Sequence, residues 1–211
     1  MTQTPNTTQT PNTAAVAAVI LAGGGSVRMG ADKAAMDWGG EPMLARVVRI
    51  VAQRCEPVLI VAPRTSTAYQ SLYDTGDLNA TWITGEQPGA GPLGGLAAGL
   101  AAAAADAELA FVCATDMPLI STGLIGELLG AVTTSTQAVI ARDSERDHPL
   151  AGIYRTSAAE LIADLVAGGE RRMTAALAAL DAHRVTVSDP DWLTNVNAPE
   201  DVHRLRVNTG A

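Results

Sequence analysis

The chain has 211 residues, 47% of them hydrophobic and 17% charged, with a formal net charge of −8. That length can enclose a sizeable core, and that balance belongs to a globular chain rather than a disordered one. The negative charge argues against a nucleic-acid partner, which needs a basic stripe, but leaves room for a small anionic ligand held by a local positive focus.

Residues 2–7 read TQTPNT, and residues 8–13 repeat them. Such a segment has nothing to bury, so residues 1–13 are expected to form a disordered low-complexity tail before a single domain over 14–211. The apolar run from Ala14 to Ala22 has no basic segment before it and is too short to span a bilayer. The expectation is a cytoplasmic protein with no membrane partner. Cys55 and Cys113 lie in apolar stretches without metal-ligand spacing and are expected to be buried thiols.

The elements then alternate. Val16 to Leu21 reads as a buried strand that runs into the turn Gly23-Gly24-Gly25. Met43, Val47, Val48 and Val51 share one face of a helix expected over Pro42 to Cys55. A strand over Pro57 to Ala62, a short helix over Ser66 to Tyr73 and a short strand at Trp82-Ile83 follow. Gly85 to Gly91 is turn-rich and leads into an Ala-rich helix over Leu93 to Ala105. Strands are expected at Leu109 to Ala114, Ala138 to Ala141, Leu150 to Tyr154 and Val185 to Val187. Helices are expected over Thr122 to Val132, Ala158 to Ala167, Thr174 to Leu180, and from Pro199 onward. Apolar strands separated by helices imply a Rossmann-like, three-layer α/β/α fold with a mostly parallel central sheet. Ligands of such sheets sit beyond the carboxyl ends of the strands, where the strand order reverses.

The stretch from Leu21 to Lys33 reads LAGGGSVRMGADK. Consecutive glycines remove side chains that would keep backbone N–H groups from phosphate oxygens, and Arg28 and Lys33 add charge. The dinucleotide fingerprint fails, because Arg28 stands at its third glycine. A P-loop fails too, because Ala31-Asp32 follow Gly30 where Lys-Ser or Lys-Thr is needed. From the residues alone, this is either a phosphate cup or a Gly-rich turn with solvated charges.

The thirteen-residue pattern resembles the signature loop of the molybdenum cofactor guanylyltransferases, members of the wider nucleotidyltransferases with a Rossmann-like sheet. The resemblance runs from about Val16 to Arg206. It implies that Leu21, Ala22, Gly23, Gly24 and Lys33 hold the nucleotide, with Lys33 and Arg28 acting on the triphosphate. Gly23 stands where related cytidylyltransferases usually have Ala, which favours guanine. The departures concern the base or ribose: Pro63-Arg64 where the family often has Asn, and Glu86 where it often has Asp near Gly85.

Asp116 follows a buried strand and precedes Met117-Pro118. By position alone it is a helix-capping or solvated carboxylate, or a hard oxygen ligand for Mg2+. The resemblance implies the metal ligand. It also implies that Gly85, Gly91, Pro92 and Gly94 line the nucleotide pocket, where close helix–sheet packing is the competing reading of the glycines. Arg146, Asp147, His148, Arg171, Arg172, Asn195 and Asn197 match family segments near the docking place of the acceptor. The competing readings are solvated ion pairs for the charged clusters and a helix cap for the asparagines. No convincing His–carboxylate pair is apparent.

The reaction so implied joins the GMP part of GTP to the phosphate of molybdenum-molybdopterin and releases pyrophosphate, with other cofactor-biosynthesis proteins or acceptor molybdoenzymes as further partners. A molybdopterin cytidylyltransferase or another small-molecule nucleotidyltransferase is the neighbouring alternative. A non-catalytic nucleotide-binding or cofactor-delivery protein is the distant one.

Overall fold

The computed structural model describes residues 15–23, 33–76, 78–84 and 90–209, with side chains for all of these except 199 and 206–209. The tail expected over 1–13 lies outside the described residues. Strands β1 (Val16–Leu21), β2 (Val58–Val61), β3 (Thr81–Ile83), β4 (Leu109–Ala114), β5 (Ala138–Arg142), β6 (Asp147–Arg155) and β7 (His183–Thr186) make one sheet in the order β3-β2-β1-β4-β6-β5-β7. Neighbours are parallel except around β6, which runs antiparallel to both β4 and β5.

Helices cover both faces, which is why the strands are apolar on both sides. α1 (Met43–Val51), α2 (Thr67–Leu72) and α4 (Thr122–Gly130) pack on Ala18, Ile20, Phe111, Cys113 and Val139. α3 (Gly91–Ala103), α5 (Ala159–Ala167) and α6 (Met173–Ala179) pack on Ala17, Val19, Leu21, Val112 and Ile140. Each fully buried Leu, Ile or Val in these layers stabilises the fold by about 1.5–3 kcal/mol. Both cysteines are buried, and burial pushes the Cys55 thiol up to about 12 and raises that of Cys113 as well.

A third, smaller cluster joins Trp38, Met43, Val196 and Val202, with Met36, Leu119 and Leu205 against it. It carries the closing helix α7 (Pro199–Thr209) and the segment before it back to the start of α1. Among the described residues no helix is long and apolar enough to cross a membrane.

The expected elements are present, with shifted ends. α1 stops at Val51 because the next residues form a turn, with Arg54 and Cys55 N–H both bonding Val51 O at 3.0 and 2.9 Å. α3 begins at Gly91, before the expected Leu93. Gly91 takes φ +63°, and Pro92 sits in the first turn, where its missing N–H costs nothing. β6 starts at Asp147 rather than Leu150, since ion pairs let a charged segment continue the strand.

β1 is the switch point of the sheet. The chain leaves it toward β2 and β3 on one side and returns for β4 on the other. Helix α3 lies so close over β1 that a Cβ on Gly99 would stand 2.3 Å from Val19 Cγ1. Gly99→Ala should therefore destabilise the fold by about 1–3 kcal/mol, the usual cost of overpacking. A urea-unfolding midpoint equal to that of the unaltered protein would contradict this contact.

Candidate active site

The carboxyl ends of β1 and β4 are locked together. Leu21 O accepts from Thr115 N at 3.2 Å and from the buried Thr115 Oγ1 at 3.0 Å. Ala22 N donates to Val61 O at 2.8 Å, tying β2 to the same edge. A Cβ at Gly23 would stand 2.6 Å from Pro63 Cδ. Gly23 thus has a packing reason of its own, independent of any base, and its value as a sign of guanine falls accordingly. Gly24, Arg28 and Gly85 lie outside the described residues.

Lys33 opens a single 3-10 turn, Lys33–Ala35, and crosses to the end of β4. Its Nζ is 3.1 Å from Asp116 Oδ2 and 3.1 Å from Asn197 Oδ1. Asn195 Nδ2 donates to the other oxygen, Asp116 Oδ1, at 3.4 Å. Val196 N donates to Asp116 O at 2.8 Å, and Val196 itself is buried in the third cluster. Arg46, stacked over the Trp38 ring, donates from Nε to Pro118 O at 2.8 Å and fixes the turn after Asp116. Four side chains from three distant stretches thus meet at the switch point.

The competing readings of these residues fail on geometry. The cap of α4 is Ser121, whose hydroxyl accepts from Gly123 N and Leu124 N, so Asp116 is free of that role. The N–H groups before α7 are bound by Asp201, whose Oδ2 accepts from Asn197 N at 2.9 Å and Ala198 N at 3.0 Å. Those bonds hold the Asp201 carboxyl below its ordinary range. The asparagine side chains face Lys33 and Asp116 instead. At the start of α3, a Cβ on Gly94 would stand 2.3 Å from Ala90 Cβ, a steric reason for that glycine; Gly91 has open space around it.

The first of the second-half clusters, around Arg146 to His148, lies at the same edge, because β5 ends and β6 begins there. Asp147 is ion-paired with Arg142 at 3.2 Å and Arg184 at 3.1 Å, which binds β5, β6 and β7 together. His148 is buried, and its Nε2 is 2.7 Å from Asp143 Oδ2. The sequence showed no such pair, and the structure corrects that: the partner sits five residues earlier, across a tight hairpin. Asp143 also accepts from Glu145 N at 2.7 Å and Arg146 N at 2.8 Å. The His148 bond, followed by these two, holds its carboxyl far below the ordinary range. Arg171 donates to Val166 O at 2.8 Å at the end of α5, and Arg172 is ion-paired with Glu170 at 2.8 Å.

A family model described as the MobA-like NTP transferase domain matches residues 18–185. The chain belongs to the MobA-like NTP transferase family. It is 41% identical over 193 residues to a "probable molybdenum cofactor guanylyltransferase" of Mycobacterium avium strain 104, covering 90% of this chain and 94% of the relative. A protein of the same name in Mycobacterium tuberculosis strain H37Ra is 41% identical over 201 residues, covering 92% of this chain and 94% of that one. Among solved structures, molybdopterin-guanine dinucleotide biosynthesis protein A from Archaeoglobus fulgidus shares the fold with a TM-score of 0.73. It is 20% identical and covers 92% of this chain and 99% of that one. The chain is thus a nucleotidyltransferase by family.

Enzymes of this MobA-like class typically use a divalent metal, and the residues at the switch point fit one. Asp116 and Asn197 present hard oxygens, and the buried Asn195 Oδ1 has no hydrogen-bond partner. Among the described residues no group of three or more His, Cys, Asp or Glu could hold a metal by itself. The remaining ligands would then come from substrate phosphates and water, the usual habit of Mg2+.

Sequence reasoning missed Asp143, Arg46, Thr115 and Asp201. The one signal for Asp143 was its spacing, an acidic residue five positions before His148, which does not reveal the contact without the hairpin register. The Glu170 carboxyl is held down to about 2, chiefly by the Arg172 side-chain bond and then by the N–H groups of Arg172 and Arg171. Arg172→Gln should raise its NMR titration midpoint toward the ordinary carboxylate range. An unmoved midpoint would separate Arg172 from this loop.

Proposed function

We propose that the chain transfers GMP from GTP to the phosphate of molybdenum-molybdopterin and releases pyrophosphate. The observation that carries the reading is the Lys33–Asp116–Asn197 arrangement at the switch point, in a chain 41% identical to proteins named for this activity. The cytoplasmic setting belongs to the same proposal.

The acceptor is a phosphate monoester with a second pKa of about 6, so it is a competent nucleophile near neutral pH. Catalysis then rests on positioning and charge neutralisation rather than on a strong base. Leu21, Ala22 and Gly23 hold the triphosphate and Gly91, Pro92 and Gly94 line the nucleotide pocket, with Gly24 and Gly85 assigned to the same nucleotide site by the family motif alone. Lys33, together with Arg28, neutralises the charge that grows on the departing pyrophosphate. Asp116 holds the divalent cation, taken as Mg2+, with Asn197 and Asn195 offering neutral oxygens beside it. Mg2+, when bound there, supplies Lewis-acid polarisation at the α-phosphate. Arg146, His148, Arg171 and Arg172 supply donors to the acceptor's phosphate, and Asp147 keeps the hairpin in place.

Pyrophosphate release with molybdenum-molybdopterin, Mg2+ and each of GTP, CTP and ATP tests the reading. GTP should be the substrate turned over. A preference for CTP would move the chain to the cytidylyltransferases, and nucleotide binding without pyrophosphate would make it a binding protein. Lys33→Ala and Asp116→Ala should each lower turnover at least about a hundredfold, the scale of losing one electrostatic stabiliser. Their circular dichroism should stay unchanged. Near-normal rates in both would remove these residues from the chemistry.

A further inference from the structure

Asp143 lies outside every role given so far, yet it organises the hairpin between β5 and β6. Its carboxylate is acceptor-only, so the 2.7 Å bond requires the proton on His148 Nε2. Among the described residues, Nδ1 of that ring has no hydrogen-bond partner.

The hairpin is also displaced in a defined way. The β5–β6 register jumps from Ile140 opposite Gly152 to Ala141 opposite His148, which leaves Pro149 to Ala151 as a bulge against β5. Tyr154 OH holds that bulge by donating to Pro149 O at 2.7 Å. Gly152 is needed beside it, since a Cβ there would stand 2.8 Å from Val139 O. Bulges of this kind re-aim side chains next to active sites. On the other side, β4 and β6 pair Val112 with Gly152 and Cys113 with Ala151. β4 ends at Ala114, two residues before Asp116, and β6 begins at Asp147, so His148 enters the sheet at the same edge that Asp116 leaves.

We propose that Asp143 is a positioning residue for the acceptor: it fixes His148 with Nε2–H turned into the hairpin and Nδ1 turned to the phosphate monoester that attacks the nucleotide. The inference rests on the guanylyl-transfer reading. The monoester's last proton and Nδ1 share one hydrogen bond, whichever atom carries the proton, and the Asp143 carboxylate balances the ring when it is charged. Removing Asp143 frees the ring to flip or change tautomer, and the acceptor substrate loses that shared hydrogen bond while the GTP site stays whole.

The test uses the full chain with saturating GTP and Mg2+ and varied molybdenum-molybdopterin. Asp143→Asn and His148→Gln should each raise the acceptor KM about tenfold, the cost of one hydrogen bond to a charged group. The KM for GTP and kcat should change less than about twofold, and the double variant should be no worse than the worse single one, as for residues acting as a unit. In 15N NMR, the His148 ring should be protonated at Nε2 in the unaltered protein and lose that fixed tautomer in Asp143→Asn. Unchanged acceptor KM in folded variants, or equal losses for GTP and acceptor, would overturn the proposal. Should Asp143→Asn not fold, His148→Gln still decides. If the unaltered protein turns over no acceptor, the guanylyl-transfer reading fails instead, before any variant is made.

Discussion

One backbone hydrogen bond, from Val196 N to Asp116 O at 2.8 Å, joins the last irregular segment of the chain to the end of β4. With Val196 sunk in the small cluster of Trp38, Met43 and Val202, its neighbours Asn195 and Asn197 have to point the other way, toward Asp116 and Lys33. The same cluster anchors Met36, three residues after Lys33, and Leu119, three after Asp116. The polar constellation is thus positioned by an apolar one beneath it. Dispersion and burial set the geometry, and charge-assisted bonds then settle the side chains within it.

A second pattern runs through the carboxyl edge. Several arginines there are held by carboxylates: Arg142 and Arg184 by Asp147, and Arg172 by Glu170. Exposed pairs of this sort contribute little to stability. Their value lies in orientation, because a long side chain tethered at one end presents its remaining donors in fewer directions. A protein of net charge −8 can in this way offer local donors to phosphate without a basic surface.

Much of this could be read from the sequence, for physical reasons that differ by element. β1 and β4 were placed to the residue, because a strand buried on both faces is an unbroken apolar run bounded by Gly23 and Asp116. The start of α3 was not, because glycine penalties argue against a helix at Gly91, and only packing of the formed fold overrides them. β6 was cut short because Asp147 and His148 look like loop residues until their partners on β5 and β7 are known. At the site, Lys33, Asp116, Asn195 and Asn197 were legible as motif positions, but their mutual contact was not, since it depends on register and on Val196. Asp143 was hidden because its partner lies across a hairpin whose bulge no local pattern announces.

The link between Lys33 and Asn197 spans 164 positions of sequence, and that between Asn195 and Asp116 spans 79. During synthesis the strands through β4 emerge long before the segment that completes this edge of the sheet. The nascent chain therefore passes through a stage with a formed scaffold and an open edge, and Lys33 and Asp116 gain their asparagine partners only when that last segment emerges and docks.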